Sequence, residues 1–254
     1  MKIISEIVKR RELLANLIVR NLKIRYKDSL LGFFWTLLDP LLMMLVYLLF
    51  IKLMRFSIEL PVLLVGVIAW QFFVMCANDS VSIITGSTNL VKKVYFPRMI
   101  LPLAMVIANL INFLLSVLVL MVILFFFRIV PGAAVGWFPV IVLFQFLFCL
   151  GIALILATSN VFFKDTQHLL GVVLMTWFFI TPIIYPIARV PEKFINIYFL
   201  NPMTSLIVMY RHCFLGKPLP ASVSFYLSFV IVIIIFLAGV FIFSRFQKRF
   251  ADEL

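Results

Sequence analysis

Long apolar stretches without a charged residue constrain this chain more than any other feature of its sequence. Four of them cover residues 60–77, 100–127, 137–161 and 222–243. The hydrocarbon core of a bilayer is about 30 Å thick, and an α-helix needs roughly 20 apolar residues to cross it. Two further stretches, interrupted by a single Asp or by prolines, bring the predicted spans to six. The sequence therefore predicts an all-α integral membrane protein.

Composition leaves little room for anything besides these spans. Hydrophobic residues make up 65% of the chain and charged residues 13%, whereas a typical soluble domain is about 25% charged. We expect one membrane domain, residues 1–254, with no separate catalytic domain. Its predicted parts are an interfacial helix (1–32), spans 33–51, 60–84, 100–127, 137–161 and 169–187, an outer segment (188–221), and a sixth span, 222–243, with a cytoplasmic tail that ends at residue 254.

The distribution of basic residues predicts the orientation. Assigning alternate connections to one side places most of the 22 Lys and Arg residues on the side of both termini. Basic residues are retained in the cytoplasm, so both termini are predicted to be cytoplasmic. We attribute the net charge of +12 to a surface that faces anionic lipid headgroups and a cytosolic partner, and we expect no nucleic-acid partner.

An amphipathic helical pattern precedes the first span. Polar residues recur at intervals of three and four, and apolar residues cluster on the opposite side. This pattern is typical of a helix that lies in the membrane interface with its apolar side in lipid. A plain positive anchor and a docking helix both remain open. The polar stripe is Lys9, Glu12, Asn16, Arg20, Lys23 and Lys27, and the apolar cluster is Leu13, Leu14, Leu17 and Ile18.

Two acidic residues fall in or beside the predicted spans. Asp39 precedes Pro40, an order typical of a helix N-cap and first turn, so we expect the first crossing helix to begin there. The alternative is a proton relay, because an intramembrane carboxylate is a functional candidate by default. Asp79 lies in a polar turn near the cytoplasmic end of the second span. An ion-coupled transporter or flippase would have to use these two residues.

A compact segment joins the second and third spans. Residues 88–94 have the length of two helical turns, and Pro97 ends any helix before it. A short helix parallel to the membrane would offer Lys92 and Lys93 to a partner protein. A solvated loop is the alternative.

Prolines interrupt the region that follows the fifth span. Pro182, Pro186, Pro191 and Pro202 break it repeatedly, although residues 194–214 are largely apolar. Apolar segments of this kind on one side of a membrane suit a re-entrant hairpin. We predict a pair of short helices that dip back from the outer face.

The sequence lacks the groups that catalysis, metal binding or nucleotide binding would need. Carboxylates and imidazoles do not cluster, which counts against a membrane-embedded enzyme. His168 and His212 lie on predicted opposite sides of the membrane, which excludes a metal site shared by them. No phosphate loop of the GxxxxGK[ST] type occurs. Cys76, Cys149 and Cys213 indicate no disulfide framework. We expect a passive conduit without a cofactor of its own, driven by an ATPase on a separate chain.

Several short motifs, in the same order along the chain, resemble one family. They are the run 20–32 followed by Trp35 and Pro40, the run 92–102 with Tyr95-Phe96-Pro97-Arg98, then Phe163-Lys164-Asp165, the run 179–185, and Asn201-Pro202. Together they are similar to the corresponding segments of ABC-2 type permeases that export polysaccharides. The set most resembles the transmembrane subunits of O-antigen exporters, and teichoic acid and capsule exporters are related to these.

This resemblance implies a homodimer with a channel between its two copies, and two copies of a separate nucleotide-binding subunit that carries ATP and Mg²⁺. The implied substrate is a lipid-linked glycan moved across a bacterial inner membrane; teichoic acid, capsule or a small hydrophobic compound remain alternatives. The segment between spans two and three would be a coupling helix seated in the ATPase, comprising Ser87, Thr88, Asn89, Leu90, Val91, Lys92, Lys93, Tyr95 and Phe96. The N-terminal helix would brace the same interface through Lys9, Arg20, Lys23, Arg25, Tyr26 and Lys27.

Aromatic residues make up 16% of the chain, and several fall in the first, second and fifth spans. Their rings offer apolar faces to the C–H faces of sugars and polar edges to hydroxyl groups. Trp and Tyr are also enriched at both membrane boundaries, so an interfacial or packing role is the alternative for each. The channel-lining candidates are Trp35, Trp70, Phe73, Trp177, Phe178 and Tyr185.

Overall fold

The computed structural model describes residues 10–25, 35–54, 58–93 and 96–253, and every regular element within these ranges is a helix. The α-helices are α1 (Arg11–Arg25), α2 (Trp35–Met54), α3 (Leu60–Ile83), α4 (Thr88–Lys93), α5 (Ile100–Phe126), α6 (Phe138–Phe162), α7 (Thr166–Ile180), α8 (Glu192–Leu200), α9 (Pro202–Leu215), α10 (Val223–Phe246) and α11 (Phe250–Glu253). Short 3₁₀ turns occupy Thr85–Ser87, Ala133–Trp137, Ile187–Arg189 and Gln247–Arg249.

Within the described residues, four helical stretches are long and apolar enough to cross a membrane. They are Leu60–Ile83, Ile100–Phe126, Ala133–Phe162 and Val223–Glu253. They correspond to the second, third, fourth and sixth predicted spans. The fifth prediction, 169–187, differs from the structure, because α7 begins at Thr166 and ends at Ile180. Pro182 explains the early end, since a proline has no backbone N–H to donate and disfavours helix at the residue before it.

The prediction that the first crossing helix begins at Asp39 was wrong. α2 begins at Trp35, so the backbone of Asp39 lies inside the helix. The residues from Trp35 to Leu38 are mostly apolar, and in hydrocarbon their backbone N–H and C=O groups need partners from within the segment. That requirement favours a helix that extends upstream of the Asp-Pro pair.

Helix α3 occupies the centre of the bundle. It contacts α2, α5, α6, α7 and α9, and its side chains are buried on almost every side, with Leu63, Leu64, Phe72 and Ala77 each no more than 2% exposed. A helix that is apolar all round belongs in the interior of such a bundle. In contrast, α10 lies at the edge and exposes much of its apolar surface, including Leu237 and Phe241.

Two buried amide side chains connect α6 to α3. Gln145 Nε2 donates to the carbonyl oxygen of Ala69 at 2.7 Å, and Asn160 Nδ2 donates to that of Val81 at 2.8 Å. Interhelical hydrogen bonds of this kind hold membrane helices together, because lipid offers the amide no alternative partner. They fix the register of α6 along α3 at two levels.

Helix α6 and helix α10 meet backbone to backbone through two glycines. A Cβ atom at Gly239 would collide with the backbone of Gly151, and a Cβ atom at Gly151 would lie 2.8 Å from the Cα atom of Phe236. Small residues allow this approach and are enriched where membrane helices pack closely. The position of α10 therefore depends on these two glycines.

Candidate functional site

The segment between α3 and α5 forms a compact turn and a short helix. The 3₁₀ turn Thr85–Ser87 continues directly into α4, and the Thr88 hydroxyl donates to the carbonyl oxygen of Thr85 at 2.6 Å. Pro97 follows α4 within four residues and prevents the helix from running into α5. Residues 85–93 therefore form a turn and a short helix at one end of the bundle.

Helix α4 has an exposed polar side and a buried anchor. Asn89 and Lys92 are exposed, whereas Val91 is 3% exposed and Phe96, just beyond the helix, is 6% exposed. The remaining described side chains of this segment, Ser87, Thr88 and Leu90, are half-buried. Such an arrangement leaves the polar side free to contact another protein. Of the other predicted coupling residues, Lys93 ends α4 and Tyr95 lies outside the described residues.

The C-terminal tail, residues 247–253, packs against α4 and Arg98. The sequence did not predict this contact. α11 contacts α4, and the guanidinium of Arg98 donates to the backbone carbonyl of Gln247. Phe250 is fully buried, with its ring centroid 5.2 Å from that of Phe243 on α10 and 6.3 Å from that of Phe162 on α6. The tail therefore connects α4 to the ends of two long helices. The available signal was the aromatic residue Phe250, which follows Lys248 and Arg249 and precedes Asp252 and Glu253.

Helix α1 lies along α5. Leu17 is 5% exposed and belongs to the main core, so part of the apolar side faces protein where the sequence predicted lipid. Arg20 and Lys23 are exposed, and Arg25 is the last residue of the helix. Three predicted interface residues, Lys9, Tyr26 and Lys27, lie outside the described residues.

A polar cavity of about 380 Å³ lies between α1, α3 and α5. Asp79 of α3 meets Asn109 of α5 at its wall, where Asn109 Nδ2 donates to Asp79 Oδ2 at 2.9 Å. Asn21, Ser82 and Asn112 also line it. Asp79 therefore takes part in contacts between helices. Within the described ranges, no group of three His, Cys, Asp or Glu side chains is placed to hold a metal ion.

Four of the six channel-lining candidates form one aromatic cluster. The ring of Phe73 lies 5.3 Å from Trp70 and 5.1 Å from Trp177, and Trp70 lies 5.7 Å from Phe178, measured between ring centroids. Phe148 of α6 completes the group at 5.3 Å from Phe73. Trp70 and Phe73 are 6% and 1% exposed, whereas Trp177 and Phe178 are half-buried. The cluster therefore joins the bundle interior to the surface of α7.

Hydrogen bonds fix the outer edge of this cluster. Trp177 Nε1 donates to Asn201 Oδ1 at 3.0 Å, and Asn201 Nδ2 donates to Thr181 Oγ1 at 3.0 Å. Asn201 also caps α9 by accepting from the Met203 N–H at 3.1 Å. An open groove of about 450 Å³ lies beside Trp177 and is otherwise lined by Val172, Val173, Thr176, Ile180, Asn201 and Pro202.

The two remaining candidates lie elsewhere. Trp35 is the first residue of α2 and is half-buried. The Tyr185 hydroxyl donates to the carbonyl groups of Phe179 and Ile180, each at 3.0 Å, and closes the loop that follows α7.

Sequence comparison identifies relatives along the full length of this chain. The family model described as "ABC-2 type transporter" matches residues 12–215. The chain is 36% identical over 259 residues to the "O-antigen export system permease protein RfbA" of Myxococcus xanthus, with 100% of both proteins covered. Two proteins of Klebsiella pneumoniae with the same name are 33% and 32% identical, over 96% of this chain and 95% of their own length.

Proposed function

The chain belongs to the ABC-2 type transporter family, and on this premise we propose that it is the membrane subunit of an ATP-driven exporter. Its substrate is a lipid-linked, O-antigen-like polysaccharide, moved across a bacterial inner membrane. The observation that carries the proposal is the similarity over whole chains to permeases named for O-antigen export. ATP and Mg²⁺ bind to a separate subunit, because this sequence contains no phosphate loop.

In this proposal six helices cross the membrane, namely α2, α3, α5, α6, α7 and α10, with both termini in the cytoplasm. Helix α7 has 15 residues, or about 22 Å at 1.5 Å per residue, which is short for a hydrocarbon core of about 30 Å. The following loop completes the crossing, because Tyr185 and Thr181 satisfy carbonyl groups at the end of the helix. Helices α8 and α9 re-enter from the outer side.

Two copies of the chain enclose the export channel between them. Helix α7 supports this arrangement, because only Leu170 and Leu174 among its residues are buried. The groove beside Trp177 lies on its exposed side, and its apolar lining with a few polar groups is typical of a ligand site. Trp177 and Phe178 border that side, and Trp70 and Phe73 support them from behind.

A bulky residue in the groove tests this channel. Thr176 is exposed and its only described hydrogen bond is to the carbonyl of Val172 in the same helix, so we expect Thr176→Trp to fold normally. The indole would fill the groove and occupy the space that the glycan needs. We therefore expect export to fall at least about tenfold. Export is measured as surface glycan in cells that lack the native permease.

The control substitution is Leu237→Trp. Leu237 is 58% exposed on α10, a helix that faces lipid in this proposal, and export should be unaffected. Equal export from both variants would remove the exposed side of α7 from the channel.

The ATPase docks on α4, and its closure moves the helices as rigid bodies. We expect Asn89→Glu combined with Lys92→Glu to abolish co-purification with the ATPase, because both side chains are exposed and the double change reverses the local charge. Lys193→Glu is the matched control on α8, at the opposite end of the bundle. Retention of the ATPase by the double variant would contradict the docking site, and failure of the unmodified chain to bind any ATPase would contradict the function.

A further inference from the structure

A guanidinium group is buried at the end of the bundle opposite α4. Arg211 of α9 is 5% exposed; its Nε donates to the carbonyl oxygen of Val62 at 3.1 Å, and its Nη2 donates to that of Ile183 at 3.0 Å. An arginine side chain has five N–H donors. Among the residues that the structure describes, no carboxylate lies within ion-pair distance of Arg211. A buried cation of this kind ordinarily has an anionic partner, because desolvation of the charge is costly.

The position of this group is fixed by the surrounding backbone. Gly66 faces it, and a Cβ atom at that position would lie 3.1 Å from Nη2 of Arg211. The two carbonyl groups belong to α3 and to the loop after α7. The guanidinium is thus held in place by neutral groups, which leave its charge uncompensated.

Arg211 lines a cavity of about 260 Å³. Pockets that take drug-sized ligands measure about 300–1,000 Å³, so this volume suits a headgroup-sized ligand. Two cationic side chains and one carboxylate line the cavity among otherwise apolar walls. Its lining residues are Ile58, Glu59, Val62, Pro186, Ile187, Val208, Arg211, Lys217 and Pro218.

The second cation, Lys217, is held at the cavity mouth. Gly216 ends α9 with a φ of 64°, a left-handed conformation that glycine adopts without strain. The Nδ1 atom of His212 lies 2.7 Å from the carbonyl oxygen of Lys217, and Lys217 Nζ lies 3.1 Å from Glu59 Oε2. Glu59 balances one of the two cations, so the cavity keeps an excess positive charge.

We propose that this cavity binds a phosphate group, held by Arg211 and Lys217, with the attached organic group against the apolar walls. A guanidinium and an ammonium are the side chains that most often bind phosphate oxygens. A membrane lipid headgroup and free phosphate share this chemistry. The inference goes beyond the proposed function, because phosphate binding requires neither the ATPase nor a glycan.

Thermal unfolding of the full purified chain in a neutral detergent tests the site. The probes are dihexanoyl phosphatidylglycerol, dihexanoyl phosphatidylcholine and inorganic phosphate. We expect the anionic phosphatidylglycerol to raise the midpoint of unfolding in a saturable way, because a ligand that binds the folded state stabilises it. Phosphatidylcholine has the same phosphate, but its trimethylammonium group would add a cation beside Arg211 and Lys217, so it should give little change.

Lys217→Gln provides the specific variant, since Lys217 is exposed and its loss does not disturb the core. Its half-saturating concentration of phosphatidylglycerol should be about tenfold higher, as expected for loss of one charge-assisted hydrogen bond. Lys193→Gln removes an exposed lysine of α8 outside the cavity and should have no effect. Arg211→Lys keeps the charge but loses the fork geometry, and should weaken binding further.

The results distinguish a lipid headgroup from free phosphate as the ligand, and a binding site from a purely structural role of Arg211. Tighter binding of phosphatidylglycerol than of inorganic phosphate assigns the ligand to a lipid, and equal binding assigns it to free phosphate. Equal effects of phosphatidylglycerol and phosphatidylcholine, or of Lys217→Gln and Lys193→Gln, would overturn the proposal and leave Arg211 as a structural link between α3 and α9. None of these results depends on whether the chain exports a glycan.

Discussion

Replacing Gly239 by leucine is expected to separate α10 from α6 and to prevent most of the protein from reaching its folded state. The obstacle to a side chain at this position is the backbone of Gly151, which cannot rotate away as a flexible side chain would. Overpacking a well-packed core costs about 1–3 kcal/mol when side chains can yield. Here we expect a cost at or above the upper end of that range. Gly239→Ala should act in the same direction with a smaller effect.

The measurement is the fraction of monodisperse protein on size-exclusion chromatography, together with the midpoint of thermal unfolding. Gly171→Leu is the matched control, because Gly171 also lies in an apolar helix, α7, and a Cβ atom there would meet nothing within 4 Å. If Gly239→Leu and Gly171→Leu gave equal yields and midpoints, close packing of α6 on α10 would not determine the fold.

The sequence predicted the long helices well, for a physical reason. The predicted spans 60–84, 100–127 and 137–161 agree within two residues with α3, α5 and α6. Several of their ends lie beside charges that cannot enter hydrocarbon, as Glu59, Arg128 and Lys164 show, so composition marks those boundaries. The last span was predicted to end at residue 243, but α10 continues to Phe246. A helix can extend into the interface, where an arginine side chain reaches water.

Contacts between distant parts of the chain could not be predicted in the same way. Trp70 and Trp177 were both selected as aromatic residues, but nothing in their spacing indicates that Phe73 lies between them. Arg211 escaped attention because its partners are backbone carbonyls, which have no sequence signature. The contact between Gly151 of α6 and Gly239 of α10 could not be predicted either. Each helix supplies a single glycine, and a single glycine forms no sequence motif.

Truncation of the Phe250 side chain is expected to uncouple the ATPase from the membrane helices. Phe250 is fully buried between Phe162 and Phe243, and its helix, α11, contacts α4. If the ATPase docks on α4 as proposed, this ring offers a route by which a force on α4 would reach α6 and α10. Removing a buried phenylalanine side chain typically costs about 3–5 kcal/mol of local packing. Phe250 supplies the ring contacts of α11 with Phe162 and Phe243, so this loss loosens α11 while the long helices keep their own contacts.

The expected result for Phe250→Ala is an intact complex in which ATP hydrolysis continues while glycan export falls at least about tenfold, because a mobile tail transmits motion poorly. ATPase activity and surface glycan are measured on the same cells and membranes. Phe250→Leu, which keeps most of the apolar volume, should restore much of the export. Phe241→Ala on α10 is the control, since Phe241 is 71% exposed. Loss of the ATPase from the Phe250→Ala complex would instead show that the tail holds α4 in its docking position. Normal export by this variant would contradict the prediction and show that the force travels through α3 and α5 alone.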